Sequence, residues 1–414
     1  MNPSGSSAPG AHLEHAASLA TASPPRVHFT VQTSCGSATV ADGIPPEDYE
    51  TWIGCFENKA VDHRYYEIVH ESLKNQFGHY YLLLKDSAEL TRAIQPFLVV
   101  SQDLVTGTPP FVRNSVTWIR NYVPGFLKLR MLMVGCSAGE GDLACARASG
   151  GVSWTVEALR LSLKSVARKL KVMLIVFKDF PKAYRTDLDT LQSSGFTRLP
   201  SMPATRLDLN FEDFEGYLTK RVSHSMRKNL RRKFRKAGSG LPIEWEVVTD
   251  ISPFIDEVYP LYRQTLSRSE FRFEELSKAY FCELARRIPD RARFFIWRQN
   301  GRIIAFASVL VHDGVLRDNY IGLDYAVALD YHLYFVTWRD TIIWALKNGI
   351  HTYHSAPLNY DPKYHFRMDL EPLDLYVLSA HTWLNPIFRR VLPFLEPTRY
   401  DRTIQKFANA GELW

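Results

Sequence analysis

The densest group of charged side chains lies in the stretch SHSMRKNLRRKFRKAGSG, residues 223–240. Residues 220–236 alone contain nine Lys and Arg and no acid, whereas the whole chain carries a net charge of +6. Clustered cations of this kind attract phosphate and other anionic groups. We therefore predict that Arg231, Arg232 and Arg235 bind an anionic part of a substrate. The alternative is a solvated helix face, because long basic side chains often only cover a helix.

The apolar residues of the same stretch indicate which element positions these charges. Val222, Met226, Leu230 and Phe234 recur at every fourth residue, which places them along one face of a helix. The following AGSGLP contains the glycines and the proline that end a helix. The pattern predicts an amphipathic helix that packs on a sheet. Its charges would face solvent or an anion, such as a phosphate, an acidic saccharide, a lipid-linked pyrophosphate at a membrane surface, or nucleic acid.

Composition places the chain among globular proteins. Its 414 residues are 46% apolar and 13% aromatic, enough for two or three domains with real cores. The five cysteines have no CxxC spacing, which argues against a disulfide framework and a zinc site and favours the cytoplasm. We expect residues 1–27 to be a disordered tail, and no transmembrane segment, since the longest clean apolar run, VMLIVF at 172–177, has strand length.

Further along the chain, one order of elements occurs twice. Two strand-like runs joined by a short polar connection are followed by a third strand, a helix and a fourth strand. These units span residues 79–180 and 293–357. A hairpin followed by a helical crossover gives a mixed sheet. We therefore predict an α/β (α+β) fold with two tandem domains, 28–204 and 205–400, each a mixed, mainly antiparallel sheet flanked by helices, and a C-terminal tail at 401–414.

Several segments together resemble a known family. These are ATRLDLNFEDFEGYLTKRVSHSMRKNLRRKFRKAG, GRIIAFASVLVHDGVLRDNYIGLD, WRDTIIWALKNGIHTYHSAP and YDPKYHF. In order and spacing they are similar to the double-domain acyltransferases of the GNAT superfamily that are linked to bacterial polysaccharide and cellulose biosynthesis. That group is related to the Fem-type aminoacyl transferases. The resemblance covers about residues 45–400, and it implies two GNAT-like domains, the second of them catalytic.

The resemblance also implies an acyl-CoA donor, acetyl-CoA or another acyl-CoA, without a metal. A helix N-terminus can hold the CoA pyrophosphate with its unpaired N–H groups. Here that position is the start of the predicted helix at 333–349, so Leu333, Tyr334 and Phe335 are the predicted cofactor-binding residues. The preceding DYAVALDYHLY lacks the glycines usual in this loop, which departs from the family pattern.

Acyl transfer to an amine or a hydroxyl needs a base for the acceptor and an acid for the leaving thiolate. Asp324 ends the third strand of the second unit beside Tyr320, where it would face the cleft between splayed strands, and is the predicted base. A turn or helix cap is its alternative role. In the family-like Tyr-Lys segment, Tyr360 is the predicted acid. Tyr320 and Lys363 are predicted to bind the acceptor, although a surface loop would also explain Tyr360 and Lys363.

Two histidines close the list of candidates. His351 and His354 alternate along a predicted strand and so point to opposite faces, which argues against a shared metal. Either one could still lie in the cleft as a base.

These features together favour an acyl-CoA-dependent N- or O-acyltransferase acting on a saccharide or a small amino acceptor, in polysaccharide or cell-envelope biosynthesis. Two alternatives stay open. The basic helix and the double domain would also fit an aminoacyl-tRNA-dependent Fem-like transferase, with tRNA as a partner. The glycine-poor donor loop would fit a catalytically inactive GNAT-like binding module. Peripheral contact with a membrane is compatible with the basic helix in each case.

Overall fold

The computed structural model describes residues 25–105, 110–145, 151–269 and 272–414. Most of the predicted tail at 1–27 lies outside these ranges, and the first strand begins at Val27. Fifteen strands are present in the described chain. In chain order they are β1 Val27–Thr33, β2 Gly36–Ala41, β3 Gly78–Lys85, β4 Thr91–Asp103, β5 Lys128–Val134, β6 Leu174–Pro181, β7 Thr197–Pro200, β8 Ala204–Asp208, β9 Glu244–Val248, β10 Ala292–Gln299, β11 Arg302–His312, β12 Val315–Leu323, β13 Thr352–Ser355, β14 Asp369–Glu371 and β15 Leu373–Ser379.

The strands form two sheets. The first has eight strands in the order β1-β2-β3-β4-β5-β6-β15-β7, and the second has seven in the order β14-β8-β13-β12-β11-β10-β9. Every neighbouring pair is antiparallel except β5 with β6 and β12 with β13. The predicted mixed, mainly antiparallel architecture is confirmed.

Twelve α-helices of the described chain flank these sheets. They are α1 Tyr49–Gly54, α2 His63–Leu73, α3 Pro110–Arg120, α4 Gly151–Lys169, α5 Asp189–Ser193, α6 Phe214–Arg221, α7 His224–Gly238, α8 Ile255–Arg268, α9 Lys278–Arg287, α10 Leu333–Lys347, α11 Tyr360–His365 and α12 Asn385–Leu395. Helices α4 and α10 make the two crossovers between parallel strands, as the repeated element order predicts. None of the helices in the described ranges combines the length and the apolarity needed to cross a membrane.

The hairpins of the second sheet follow from local turn chemistry. Asn300 and Gly301, between β10 and β11, both have positive φ angles of 51° and 74°. Asp313 and Gly314, between β11 and β12, repeat this with 47° and 67°. Asn-Gly and Asp-Gly are the pairs that favour two-residue hairpin turns, because both central residues need positive φ. The register of β10, β11 and β12 is therefore encoded in two short turns.

The basic helix docks as its apolar stripe predicts. Leu230 is fully buried in the core on the outer face of the second sheet, where Met226 and Phe234 pack against the same core. One detail differs from the prediction, because α7 begins at His224 and Val222 lies before it in extended conformation, at the end of α6. Val222 is nevertheless buried in the same core.

The two sheets share a central core. It combines side chains of α2 and the first sheet with those of α8, α9 and the second sheet. The buried hydroxyl of Tyr280 on α9 donates to that of Tyr65 on α2 at 3.0 Å, and Tyr65 donates to the carbonyl of Ala138 at 2.5 Å. The halves are thus joined through a packed interior rather than through a linker alone.

The C-terminal half also contributes to the first sheet. Strand β15 inserts between β6 and β7, so the first sheet is completed by residues far along the chain. Residues 401–414 pack onto the body, with Ile404 and Leu413 fully buried. The division into domains 28–204 and 205–400 stays a prediction, and β15 crosses it.

Candidate active site

A large cavity lies between the two sheets. Its volume is about 600 Å³, and both halves of the chain line it. The first half contributes strands β5, β6 and β7 and the loop after β5, while the second contributes β12, the end of β13 and the loop between α8 and α9. A cavity of this size, mostly apolar with a few convergent polar groups, is typical of a small-molecule site.

The second half opens into this cavity where its parallel strands separate. Strands β12 and β13 pair only from Val315 to Asp318 and from Thr352 to Ser355. Beyond that point, residues 319–321 of β12 and residues 356–358 after β13 line opposite sides of the opening. Leu358 has a φ of 76°, an unusual value for a branched residue and one that clusters at functional sites.

A bulge in β12 decides which side chains face the cavity. The register with β11 shifts between Asp318 and Tyr320, which leaves Asn319 as an extra residue. Arg317 and Tyr320 therefore both face the first half, where Arg317 contacts Glu140 and Tyr320 lines the cavity. Asp318 turns to the other side and accepts a hydrogen bond of 2.6 Å from Tyr353.

Glu274 is a carboxylate of the cavity wall whose surroundings favour the protonated form. It lies in the loop between α8 and α9, and Tyr320 donates its hydroxyl to Glu274 Oε1 at 3.1 Å. Burial raises the pKa of Glu274, against the opposing effects of Lys178 and of the Tyr320 hydrogen bond. A carboxyl group with a raised pKa beside a cavity is suited to accept a proton from a substrate.

An ion cluster joins the two halves at the other side of the cavity. His354 Nε2 lies 3.0 Å from Glu140 Oε1 and 2.7 Å from Glu371 Oε2, and Arg317 lies 3.3 Å from Glu140. Burial alone would raise the pKa of Glu140, but His354 and Arg317 lower it to about 2. Burial would likewise lower the pKa of His354, but Glu140 and Glu371 raise it. The two carboxylates thus favour the protonated form of His354, which has no free lone pair to act as a base.

Two buried nitrogens in this cluster have no hydrogen-bond partner among the described residues. They are Nδ1 of His354 and Nε of Arg317, and both residues line the cavity. An unsatisfied buried polar group costs about 1–3 kcal/mol. The cavity therefore presents polar groups that a bound molecule can satisfy.

The opposite wall of the cavity is apolar. It is built by alternate residues of adjacent strands of the first sheet and by α12, which covers them. These side chains are Met131 and Met133 of β5, Leu174 and Val176 of β6, Leu199 of β7, Leu375 and Val377 of β15, and Leu392 of α12. These side chains form a continuous apolar surface, and Lys178, Asp179 and Ser201 of the first half line the cavity beside it.

The structure places the predicted base outside this cavity. Asp324 is buried, with Arg302 at 2.6 Å from its Oδ2 and the backbone N–H of Ala326 donating to its Oδ1 at 3.1 Å. Its backbone carbonyl accepts from Val327 and Ala328. These contacts correspond to the turn-capping role that the sequence left open. Of the predicted catalytic and acceptor residues, Tyr320 is the one that lines the cavity.

Tyr360 and Lys363 are buried in the short helix α11, rather than lying in a surface loop. The hydroxyl of Tyr360 donates to the carbonyl of Pro203 at 2.8 Å, and Lys363 donates to the carbonyl of Ala356. Burial lowers the pKa of Lys363 to about 7, with Asp318 opposing the shift. Neither side chain is among the described residues that line the cavity.

The predicted cofactor residues lie at the start of α10, but two of the three backbone N–H groups are already used. Leu333 donates to the carbonyl of Ala328 and Phe335 to that of His332, both at 2.9 Å. Tyr334 is partly buried, near Asp318 and Asn359, and its pKa is raised by burial.

The basic helix lies beside this helix start. Lys233 of α7 sits 3.1 Å from the ring centroid of Phe335. Burial, together with Lys233, Lys236 and Arg232, lowers the pKa of His332 at the start of α10. The structure thus brings the basic helix and the predicted cofactor residues together. Arg231 differs from its neighbours, because it pairs with Glu215 at 2.7 Å.

The sequence analysis missed Glu274, Glu140 and Arg317. Glu274 follows an aromatic in the stretch RFEEL, which contains no recognised motif. Glu140 lies in the glycine-containing loop after β5, and Arg317 is one of several charges on a strand. The sequence signal nearest to this cluster was the pair His351 and His354, of which His354 lies in the ion cluster. No set of three or more His, Cys, Asp or Glu in the described ranges is arranged to hold a metal ion.

Comparison with known proteins finds a family match for one segment of the second half. Residues 224–364 match the family model described as acetyltransferase (GNAT) domain, which is about a third of the chain. The matched segment begins with the basic helix and ends in α11, and it contains the parallel pair of β12 and β13. The predicted GNAT character is confirmed for this segment.

Relatives and solved structures with similarity to the chain are distant. Curated proteins of two Mycobacterium tuberculosis strains, provisionally named 8-amino-7-oxononanoate synthase 2, are 24% identical over 292 residues, which is 68% of this chain. The chain spans only 36% of the length of these relatives. The structure of L-PGS from Bacillus licheniformis is 12% identical with a TM-score of 0.49, over 86% of this chain and 98% of that chain.

Two further solved structures are similar to the chain. That of FemX is 11% identical with a TM-score of 0.49, over 84% of this chain and 99% of that one. A tandem GNAT protein from the clavulanic acid biosynthesis pathway is 10% identical with a TM-score of 0.37, over 74% and 83% of the two chains. The family match is therefore limited to residues 224–364, which contain strands β9 to β13 of the second sheet and match an acetyltransferase (GNAT) domain.

Proposed function

We propose that the protein is an acyl-CoA-dependent N- or O-acyltransferase whose reaction takes place in the cavity between the two sheets. The acceptor would be a saccharide or a small amino compound. The observation that carries this proposal is the meeting of three features in one cavity: a separated pair of parallel strands within the GNAT domain, a carboxyl group with a raised pKa, and unsatisfied buried nitrogens.

Glu274 is the proposed base. The acceptor nitrogen or oxygen attacks the thioester carbonyl and passes its proton to Glu274, and the carbon–sulfur bond then breaks to release CoA, whose thiolate takes up a proton. The Tyr320 hydroxyl donates to Glu274 at 3.1 Å and so fixes the direction of the carboxyl group. Positioned proton transfer of this kind contributes about a hundredfold to ten-thousandfold to a rate.

The ion cluster of His354, Glu140 and Arg317, across the cavity from Glu274, is suited to bind the acceptor. Arg317 and His354 are both held by Glu140, and each presents a buried nitrogen without a partner among the described residues. Hydroxyl or amine groups of a saccharide could satisfy these nitrogens. This supports a polar acceptor bound between the ion cluster and Glu274.

The donor would enter where β12 and β13 separate. Its acyl group would then reach the cavity between Asn319 and Ala356, which line the two sides of the opening. Its phosphates would lie near the start of α10, where Arg232, Lys233 and Lys236 come close to His332. The proposal therefore gives the basic helix the role of holding phosphates, in addition to docking on the second sheet.

Calorimetric titration with acetyl-CoA, a longer acyl-CoA and free CoA tests the donor. The wild type should bind at least one of them saturably, and a variant with Arg231→Ala, Arg232→Ala and Arg235→Ala should bind it more weakly. A matched control is Arg113→Ala with Arg389→Ala, which removes exposed cations far along the chain from the basic helix. Absence of binding by all three ligands would contradict the donor assignment.

A second candidate is an aminoacyl-tRNA-dependent transferase. The observation that favours it is the exposed cationic face of α7, on which Lys228, Arg235 and Lys236 are all exposed. Binding of tRNA through about six to ten phosphate contacts would weaken by about a thousandfold or more between low and moderate salt. Salt-sensitive tRNA binding without acyl-CoA binding would favour this candidate over the first.

Placement of the reaction in polysaccharide or cell-envelope biosynthesis, in the bacterial cytoplasm, also belongs to the proposal. It is supported by the resemblance of the sequence segments and by the polar wall of the cavity. An active preparation tested with amino sugars, simple amines and polyols would identify the acceptor class.

A further inference from the structure

Large apolar side chains are exposed at two places that are distant in sequence. Among the described residues, thirteen large apolar side chains are exposed, and eight of them lie in the segments 111–123 and 383–394. They are Phe111, Trp118, Tyr122, Val123, Trp383, Ile387, Val391 and Phe394. Single exposed apolar residues are ordinary, but a concentration of aromatic ones marks a contact surface.

The two segments lie at the same end of the strands of the first sheet. Helix α3 connects the end of β4 to the start of β5, and α12 follows the end of β15. The backbone links these ends directly across the sheet, since Met173 donates to the carbonyl of Arg130 and Ala380 donates to that of Met173. The two exposed segments therefore flank one edge of the molecule, which we call the apolar edge.

Each helix of the apolar edge carries an outward stripe at helical spacing. On α3, Phe111 and Trp118 are seven residues apart. Tyr122, just beyond the end of α3, follows Trp118 by four residues, and the ring centroids of Trp118 and Tyr122 are 5.3 Å apart. On α12, Ile387, Val391 and Phe394 are four and three residues apart, which also places them on one face. The inner faces are apolar as well, since Val116 and Leu392 are buried. Each helix thus buries apolar side chains and also exposes large ones on the side that does not pack.

The charges of the apolar edge are all positive. The sequence has no acidic residue between Asp103 and Glu140 or between Asp374 and Glu396. Arg120 is neutralised by Asp103 at 2.7 Å. Arg113, Arg389 and Arg390 are exposed, and none of them takes part in an ion pair among the described residues. Aromatic stripes flanked by unpaired arginines match an anionic lipid surface in both polarity and sign of charge.

We propose that the apolar edge docks the protein on the surface of an anionic membrane, with α3 and α12 lying in the lipid interface. The inner side of the same edge supports this assignment. Leu392 and Leu395 of α12 and Leu104 after β4 line the cavity, so the apolar wall of the cavity continues to the helices that face outward. This inference goes beyond the proposed function and does not depend on the acyl donor or on turnover.

Sedimentation of the full chain with lipid vesicles tests the proposal. The wild type should pellet with vesicles of phosphatidylcholine mixed with phosphatidylglycerol and bind pure phosphatidylcholine vesicles more weakly. Replacement of Trp118→Ser together with Phe394→Ser should reduce the partition by at least about tenfold, because each large side chain loses its buried area. Arg389→Gln with Arg390→Gln should reduce binding to the anionic vesicles by about tenfold and leave the weak binding to neutral ones unchanged.

The matched control is Leu90→Ser, which removes an equally exposed apolar side chain at a hairpin turn away from the apolar edge. It should bind the vesicles as the wild type does. Ile387→Ser with Val391→Ser provides a second test pair on α12, to be used if the first pair lowers the melting temperature.

Three results would overturn the proposal. The first is failure of the wild type to pellet with anionic vesicles. The second is unchanged binding by both serine pairs. The third is that the wild type does not bind vesicles but doubles its mass with increasing concentration in light scattering, and that Trp118→Ser with Phe394→Ser abolishes this doubling. That result would assign the apolar edge to a second copy of the chain.

Discussion

The two halves of the molecule repeat one order of elements but contribute differently to the cavity. In the first half, the parallel strands β5 and β6 are followed on the other edge of β6 by β15, and this continuous surface provides Met133, Val176 and Val377. In the second half, β12 and β13 separate after four paired residues, and a bulge turns Arg317 and Tyr320 inward. Most of the apolar lining thus comes from the first half, whereas Arg317, Tyr320 and Glu274 come from the second.

This difference indicates that two units with the same order of elements can contribute different kinds of side chain to one cavity. In both halves the crossover of strand, helix and strand pairs four residues of each parallel strand, and a further strand, β15 or β8, lies on the other edge. The chemistry then depends on side chains at the opening rather than on the element order.

The contact between the halves should have the largest effect on stability. Glu140→Gln leaves Arg317 and His354 without their shared carboxylate in a mostly buried site. Loss of one partner from such a cluster is expected to lower the free energy of unfolding by about 3 kcal/mol. Chemical denaturation would measure it. Glu283→Gln, which breaks the exposed pair with Arg286, is the control and should cost less than about 0.5 kcal/mol.

The difference in the free energy of unfolding between the wild type and Glu140→Gln should change with pH in a defined direction. The pKa of Glu140 is lowered from 4.5 to about 2, so its contribution is present above pH 4.5 and is lost as the pH falls towards 2. The pKa of His354 is raised above 6.5, so its contribution is present below pH 6.5 and is lost as the pH rises through the raised value. The gap between wild type and Glu140→Gln should be widest between pH 4.5 and 6.5. An unchanged gap across pH would contradict the ion cluster.

The opening between β12 and β13 should be sensitive to size. Asn319→Trp places a large side chain where the strands separate and should weaken binding of every acyl-CoA by about a hundredfold, because the passage is filled. Asn319→Ala, which leaves the passage open, is the matched control. Equal affinities of the two variants in a calorimetric titration would remove the opening from the donor path.

The apolar wall should distinguish acyl-CoA donors by the length of their acyl chain, rather than contribute to the binding of every donor. Val176→Phe fills part of the first-half surface without adding a polar group. We expect about tenfold weaker binding of a long acyl-CoA and little change for acetyl-CoA, because only the longer chain needs that space. A parallel loss for both donors would mean that the apolar wall is part of the common binding site.

Lys363 should have the smallest effect on function. Lys363→Met should change the affinity for the acceptor by less than about twofold, because Lys363 donates to the Ala356 carbonyl and does not face the cavity. Its pKa is lowered from 10.5 to about 7, so the folded wild type loses stability as the pH falls through this range. The melting temperature of Lys363→Met should therefore rise relative to that of the wild type as the pH falls from 10.5 towards 7. A large rise in KM would instead restore Lys363 as an acceptor residue.

Much of the fold could be predicted from periodicity and turn residues. The two β-β-β-α-β units and the docking of Leu230 follow from local patterns, because hairpins and amphipathic helices are specified by neighbouring residues. The position of β15 could not be predicted. It pairs with β6 across about two hundred residues of chain, and no local signal specifies such a partner.

The candidate site was harder to predict than the fold. Asp324 and Glu274 are both acids next to apolar segments, and the sequence favoured the one at a strand end. The difference is tertiary, since Arg302 and a backbone N–H satisfy Asp324, whereas Glu274 is directed into the cavity by the packing of its loop against the second sheet. The bulge at Asn319 is equally invisible in the sequence, yet it decides that Tyr320 and not Asp318 faces Glu274.

The most direct test compares these two carboxylates in one assay. Release of the CoA thiol from an acyl-CoA would be followed with amine and hydroxyl acceptors, for the wild type, Glu274→Gln and Asp324→Asn. We predict that Glu274→Gln lowers kcat/KM by about a hundredfold or more, that Asp324→Asn retains activity, and that the wild-type rate rises with pH through a pKa above 4.5. Full activity of Glu274→Gln, or loss of activity in Asp324→Asn alone, would contradict a reaction centre between the two sheets.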